Sequence, residues 1–175
     1  DYGEFVAQDV FNRGTVDGQE IPRRGVDAID SIAVIVSIPT RPGEMNDISA
    51  NEYEKRQLLG FAPVQSDGSF RIRVPADMPF SFATLDDQSR GFVVKRTHIY
   101  VRPGEVFDRC TGCHEDRVAG GLAPTNPDPM AAHLPATDLR VPVAQRQSIT
   151  WQNAIGPVVE AKCVSCHQPT YTSRQ

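Results

Sequence analysis

The sequence predicts a mainly β fold with little helix: a small antiparallel β-sandwich with an N-terminal arm over residues 1–104, then a loop-rich region over 105–175 with a short C-terminal helix. Three observations predict it. Short runs of alternating apolar and polar residues recur between turn signals over the first hundred residues. Proline and glycine are plentiful, 14 and 13 of 175 residues, so helices should be few and turns many. All four cysteines fall after residue 104, which leaves the first part as scaffold.

Phe5 to Phe11 suits a short strand, followed by turns at Asn12-Arg13-Gly14, Asp17-Gly18 and Pro22-Arg23-Arg24-Gly25. An arm of this kind lies on its own subunit or on a neighbour. Ile32, Val34, Val36 and Ile38 alternate with Ala33, Ile35 and Ser37 in a strand buried on at least one face and on both if Ile35 is also covered, closed by Pro39 and Pro42-Gly43. Ser49-Ala50-Asn51-Glu52 reads as a capping box, which predicts a short helix over Tyr53 to Leu59 stopped by Gly60. Val64 to Val74 reads as a hairpin about Asp67-Gly68, with Phe70, Ile72 and Val74 inside and Arg71 and Arg73 on a solvated face. Phe80 to Thr84 and Phe92 to Val101 are two more strands, and Arg102-Pro103-Gly104-Glu105 closes the last of them. Five prolines between Gly120 and Pro142 argue against regular structure there. Trp151 to Cys166 reads as helix, with Pro157 acceptable in a first turn.

Two stretches carry the chemistry: Cys110-Thr111-Gly112-Cys113-His114 and Cys163-Val164-Ser165-Cys166-His167. Each is a C-x-x-C-H run, the pattern of covalent c-type haem attachment. Two residues between the cysteines place both sulfurs along one edge of a porphyrin, and the histidine that follows presents an imidazole to the iron. A disulfide framework would not need the histidines. A zinc ribbon would want its two knuckles roughly 15–20 residues apart, whereas the interval from Cys113 to Cys163 is far longer and rich in proline. A thioredoxin-like dithiol would need a βαβ setting that the pattern lacks. The expected cofactors are therefore two haem c groups, held by Cys110, Cys113 and His114 and by Cys163, Cys166 and His167.

The two remaining histidines, His98 and His133, are the candidates for the second axial positions, since two haems with two histidines each would use all four. An isolated histidine is more often a surface or satisfied core residue. His98, however, precedes the first motif closely, and His133 lies between the motifs. Met45, Met78 and Met130 are the competing ligands; a methionine opposite histidine would raise the reduction potential.

A net charge of −4 argues against nucleic acid, which demands clustered Lys and Arg. No apolar run approaches the roughly 20 residues of a membrane-spanning helix. The first residue is Asp1, with no apolar leader, as in a processed product or a part of a longer polypeptide. Covalent haem implies an exported protein, periplasmic or extracellular.

The run from Gln65-Ser66-Asp67-Gly68-Ser69-Phe70 through Val74-Pro75-Ala76-Asp77, Phe80, Leu85-Asp86, Tyr100-Val101-Arg102-Pro103-Gly104-Glu105 and Cys110 to Gly112-Cys113-His114-Glu115 resembles the haem-bearing C-terminal region of proteins similar to the hydrazine synthase alpha subunit. In that family a β-domain leads through a P-G-E turn into C-x-G-C-H-E. The resemblance spans residues 61–116 and implies a haem-binding module rather than an activity, because the family's chemistry belongs to other haems of a larger assembly with a propeller domain that is absent here. Ile155 to His167 is similar to the opening helix of many small c-type cytochrome domains, which normally continue toward a distal methionine; this chain stops.

The leading functional expectation is electron transfer through two bis-histidine haems, in an electron carrier rather than an enzyme, with redox proteins as partners. A closed coordination shell leaves no iron position for substrate. Such a protein could repeat as the subunit of an extracellular cytochrome filament through neighbouring copies. The alternatives are a haem-based redox enzyme, or a subunit of a larger hydrazine-synthase-like complex, with one open iron site, and a sandwich-type binding module in which haem is only structural.

Overall fold

The computed structural model describes residues 1–11, 15–16, 19–20, 29–39, 54–94, 98–112, 126–148 and 150–167. The strands are β1 (Tyr2–Ala7), β2 (Thr15–Val16), β3 (Gln19–Glu20), β4 (Ser31–Pro39), β5 (Glu54–Pro63), β6 (Phe70–Pro75), β7 (Phe80–Leu85), β8 (Gly91–Val94), β9 (Val106–Cys110), β10 (Thr137–Asp138) and β11 (Gln147–Ser148), followed by a short α-helix, α1 (Gly156–Lys162). They form one sheet in the order β10-β6-β1-β9, a second in the order β11-β5-β4-β7-β8, and a small β2-β3 ribbon. The mainly β class is as expected. β9, β10 and β11 all come from beyond residue 104, so the two sheets draw three of their four edge strands from the later part of the chain.

The period-2 pattern of β6 places Phe70, Ile72 and Val74 in the core between the two sheets, where they meet Phe5 of β1, Ile32, Val34 and Val36 of β4, and Phe80 and Phe82 of β7. Phe5 makes an edge contact with Phe80 at 5.6 Å between centroids, and Phe70 makes one with Phe82 at 5.2 Å. Tilted and edge-to-face packing of this kind adds to what simple burial of the rings contributes. β4 is buried on both faces: Ala33 packs with Ala83, Leu85 and Leu58 on the side away from the main core.

The N-terminal strand lies on this subunit, one of the two places expected of the arm, while two other expectations are corrected. β1 runs inside the first sheet, antiparallel to β6 and parallel to β9, because Phe5 and Ala7 are apolar and can be buried only there. Residues 54–63 form a strand rather than a helix. β5 pairs with β4 from Ser31↔Pro63 to Pro39↔Glu54, with a bulge between Val34 and Ile35. A helix of one or two turns is marginal by itself, and a full ladder on a buried strand overrides its local signal; the capping residues Ser49 to Glu52 lie outside the described residues. Asp67-Gly68 is a turn but not the tip of a hairpin, since β5 before it and β6 after it belong to different sheets. Gly68 has φ +83°, and a Cβ there would stand 2.2 Å from Asp9 Oδ1.

Of the expected strand Phe92 to Val101, residues 95–97 lie outside the described residues. β8 pairs with β7, and Ile99 makes an isolated bridge to Phe80 further along the same strand. At the other end of the chain a π-turn over Trp151–Ile155 runs directly into α1, with Pro157 in the first turn, as the sequence predicts. Among the described residues, no helix is long and apolar enough to cross a membrane.

Candidate functional site

The first motif is delivered by the sandwich. Arg102 to Glu105 forms a tight turn, in which the Glu105 N–H donates to the Arg102 carbonyl at 3.0 Å and the Glu105 side chain accepts the Arg102 N–H at 2.8 Å. Gly104 takes the positive φ of +73° that this turn requires. β9 then runs along β1, in register Phe5↔Phe107 and Ala7↔Cys110. Its last carbonyl, that of Cys110, accepts the Gln8 N–H at 2.8 Å. Cys110 is therefore fixed at the end of an edge strand, half-buried against the core, where the P-G-E turn led the sequence to place it. Cys113 and His114 lie outside the described residues.

The second motif sits on a continuous helical turn. The Cys163 N–H donates to Val159 O at 2.8 Å, and the His167 N–H donates to Cys163 O at 2.8 Å. Cys163, Cys166 and His167 are all exposed, and neither thiol is in a disulfide. The helix that carries them has no buried residue. Trp151, Ile155 and Val158, spaced i, i+4 and i+7 so as to share one face, are 59%, 46% and 59% exposed. Two free thiols and an imidazole on one turn, beside an apolar stripe that the sandwich leaves bare, are the donor set and the wall that a thioether-bonded porphyrin needs.

His98 and His133 are both at the surface with partners of their own. His98 Nε2 lies 2.7 Å from Ser37 Oγ, at the rim of a cavity of about 410 Å³ lined also by Ile99, Tyr100, Arg102, Glu105 and Phe107. His133 Nε2 meets Asp128 Oδ1 at 2.5 Å. Among the described residues, no three His, Cys, Asp or Glu side chains converge as a metal cage. Of the rival ligands, Met78 Sδ accepts from Arg146 at 3.2 Å and Met130 Sδ from Ser66 at 3.4 Å; Met45 lies outside the described residues.

Two clusters around these positions were not read from the sequence. Arg71 and Arg73 do not sit on a solvated face: both close on Glu4, Arg71 at 2.6 Å and Arg73 at 2.7 Å. Burial works against the Glu4 carboxylate, but hydrogen bonds from Arg73 and Arg71 and their charges outweigh it and hold its pKa below the ordinary value. Arg71 also donates to the carbonyls of Ala132 and Leu134. The second cluster is Asp67, which accepts from the N–H and hydroxyl of Ser69, the Asn126 amide and the Met130 N–H. It thereby ties the segment bearing Asp128 and His133 to the β5–β6 corner. Acidic residues followed by Gly in a turn are the available sequence signal; their long-range partners are not.

With this geometry in place, comparison with known proteins decides the family. Residues 8–115 match the family model described as the hydrazine synthase alpha subunit middle domain. The chain belongs to this family. Hydrazine synthase subunit alpha of Kuenenia stuttgartiensis is 32% identical over 68 residues, which are 38% of this chain and 8% of that protein. The solved Kuenenia stuttgartiensis hydrazine synthase superposes with a TM-score of 0.67 over 96% of this chain and 30% of that one, at 16% identity, a likeness of fold. The chain thus spans less than a third of the length of these relatives. The expected tie to the C-terminal region of the hydrazine synthase alpha family is corrected: the match is to the middle domain, and it begins at residue 8 rather than 61. It takes in the first C-x-x-C-H motif and stops before the second.

Proposed function

We propose that this chain is a haem-bearing module of a hydrazine-synthase-like alpha subunit and works in electron transfer within a multi-subunit assembly outside the cytoplasm. The observation that carries the reading is the exposed turn Cys163 to His167 on a helix whose apolar face the sandwich does not cover. Thioether bonds to Cys110 and Cys113 and to Cys163 and Cys166 would hold two haems, with His114 and His167 on the irons. A bound haem supplies a reversible one-electron couple.

His98 and His133 remain the candidates for the second axial positions. Iron-bound imidazoles give their other ring nitrogen to a carboxylate or similar partner, which fixes the ring. His133 with Asp128 and His98 with Ser37 have such partners, in both cases on Nε2, so that Nδ1 is the nitrogen left for iron unless the ring turns. The membership of the middle-domain family favours the larger complex over a cytochrome filament. So does β1, which is an interior strand of this chain's own sheet rather than of a neighbour's.

The test is the intact mass of the full chain exported in a host that attaches haem. Two added haems are expected, falling to one in the Cys163→Ala/Cys166→Ala variant. A chain that matures without added mass sinks the reading. Resting spectra then separate the carrier from the enzyme: low-spin iron at both sites supports electron transfer, and a high-spin site that binds carbon monoxide supports an open position.

A further inference from the structure

Four arginines close on carboxylates: Arg71 and Arg73 hold Glu4, Arg90 holds Asp86, and Arg140 holds Asp138. Arg146 is half-buried with two neutral partners. Its Nε donates to the Val141 carbonyl at 2.9 Å and its Nη1 to the Met78 thioether at 3.2 Å. Both acceptors are neutral, and sulfur is a weak one. The side chain is half-buried, and that burial holds its pKa below the ordinary arginine value. A desolvated charge without a counter-ion is costly.

The guanidinium borders a cavity of about 570 Å³ lined also by Leu58, Gln147, Ser148, Asn153 and Ala154. The lining is polar on both sides of the gap between β11 and the π-turn. Asn153 and Ala154 belong to the same helical run that ends in the second motif. Asn153 precedes Cys163 by ten residues, or roughly 15 Å of helix, a reach suited to a porphyrin with its carboxylate arms.

We propose that Arg146 and its cavity bind a carboxylate, and that this carboxylate is a propionate of the haem bonded at Cys163 and Cys166. The inference rests on the haem reading above and deepens it. The planar fork of arginine pairs with a carboxylate through two parallel hydrogen bonds, and Ser148 and Asn153 offer further donors. A cation held there favours the reduced iron.

The experiment uses the exported full chain and three variants: Arg146→Gln, Arg146→Lys, and Arg146→Gln combined with Cys163→Ala/Cys166→Ala. Intact mass is read first, then reduction potential by spectroelectrochemistry. Two attached haems, a potential lowered by Arg146→Gln and largely restored by Arg146→Lys, and no shift from Arg146→Gln in the background lacking the second haem are expected. Normal haem load with an unshifted potential overturns the propionate site and leaves the haem reading standing, as does a shift that persists without the second haem. Absence of haem at Cys163 and Cys166 overturns both.

Discussion

Phe5 of β1 and Phe107 of β9 stack face to face, 5.5 Å between centroids and 5° from parallel. The pair couples the fully buried centre of the sandwich to the strand that ends at Cys110. Phe5→Ala should cost about 3–5 kcal/mol, the usual loss for a buried aromatic, and the half-buried Phe107→Ala roughly half as much. Urea unfolding of both variants checks this. A Phe107→Ala protein as stable as the parent would mean that β9 is not held by the core.

Glu4 gives the fold an acid limit. Its carboxylate has a lower pKa in the folded chain than when unfolded, because the hydrogen bonds and charges of Arg73 and Arg71 overcome burial. A depressed carboxylate pKa contributes stability that is complete above the unfolded value and lost as pH falls through the folded one. The ordinary value for such a carboxylate is 4.5, so the contribution is full at neutral pH and fades only as the pH falls below that value. Glu4→Gln should therefore destabilise the protein at pH 7 by about 1–3 kcal/mol, with a gap to the parent that narrows toward pH 3. A gap that stays constant across that range would show the arginines to be indifferent to the charge.

Local features were legible in the sequence and long-range ones were not. The alternation of β4 and β6, the turn at Gly104 and the helical run into Cys163 all depend on residues a few positions apart, and each stands where its pattern predicts. β5 departs from its local helix signal because its partner β4, and not its own residues, decides its conformation. The place of β1 depends on a parallel pairing with β9, about a hundred residues on, which no spacing rule anticipates. Glu4 and Arg71 are 67 residues apart, so the arginines looked solvated. The motif cysteines announced their chemistry; the uncompensated Arg146 could be recognised only after its neighbours were in place.

Asp67 should act as a local clamp rather than a pillar of the whole fold. It accepts hydrogen bonds from Asn126 and from the Met130 N–H, and backbone and side-chain donors together hold its pKa below the ordinary value against the effect of burial. Asp67→Ala should cost about 2 kcal/mol, in line with hydrogen bonds to a charged group. The loss should appear chiefly as faster amide exchange over residues 126–133, with β6 and β7 still protected. Uniform loss of protection across the sheets would assign Asp67 a global role instead.

Trp151 is the chain's one tryptophan and reports on the bare helix face. At 59% exposure it adds little to the packing of the sandwich, so Trp151→Ala should change urea stability by no more than about 0.5 kcal/mol. The aromatic ring stands at the start of the apolar stripe that continues through Ile155 and Val158 toward Cys163. A haem laid on that stripe would quench its emission by energy transfer, whereas water would leave it bright. Emission should therefore be weak in the exported holoprotein and recover several-fold in the Cys163→Ala/Cys166→Ala variant, with a smaller recovery when only the first motif is removed. Equal recovery from either deletion would mean that the stripe does not face the second haem, and that some other surface covers Ile155 and Val158.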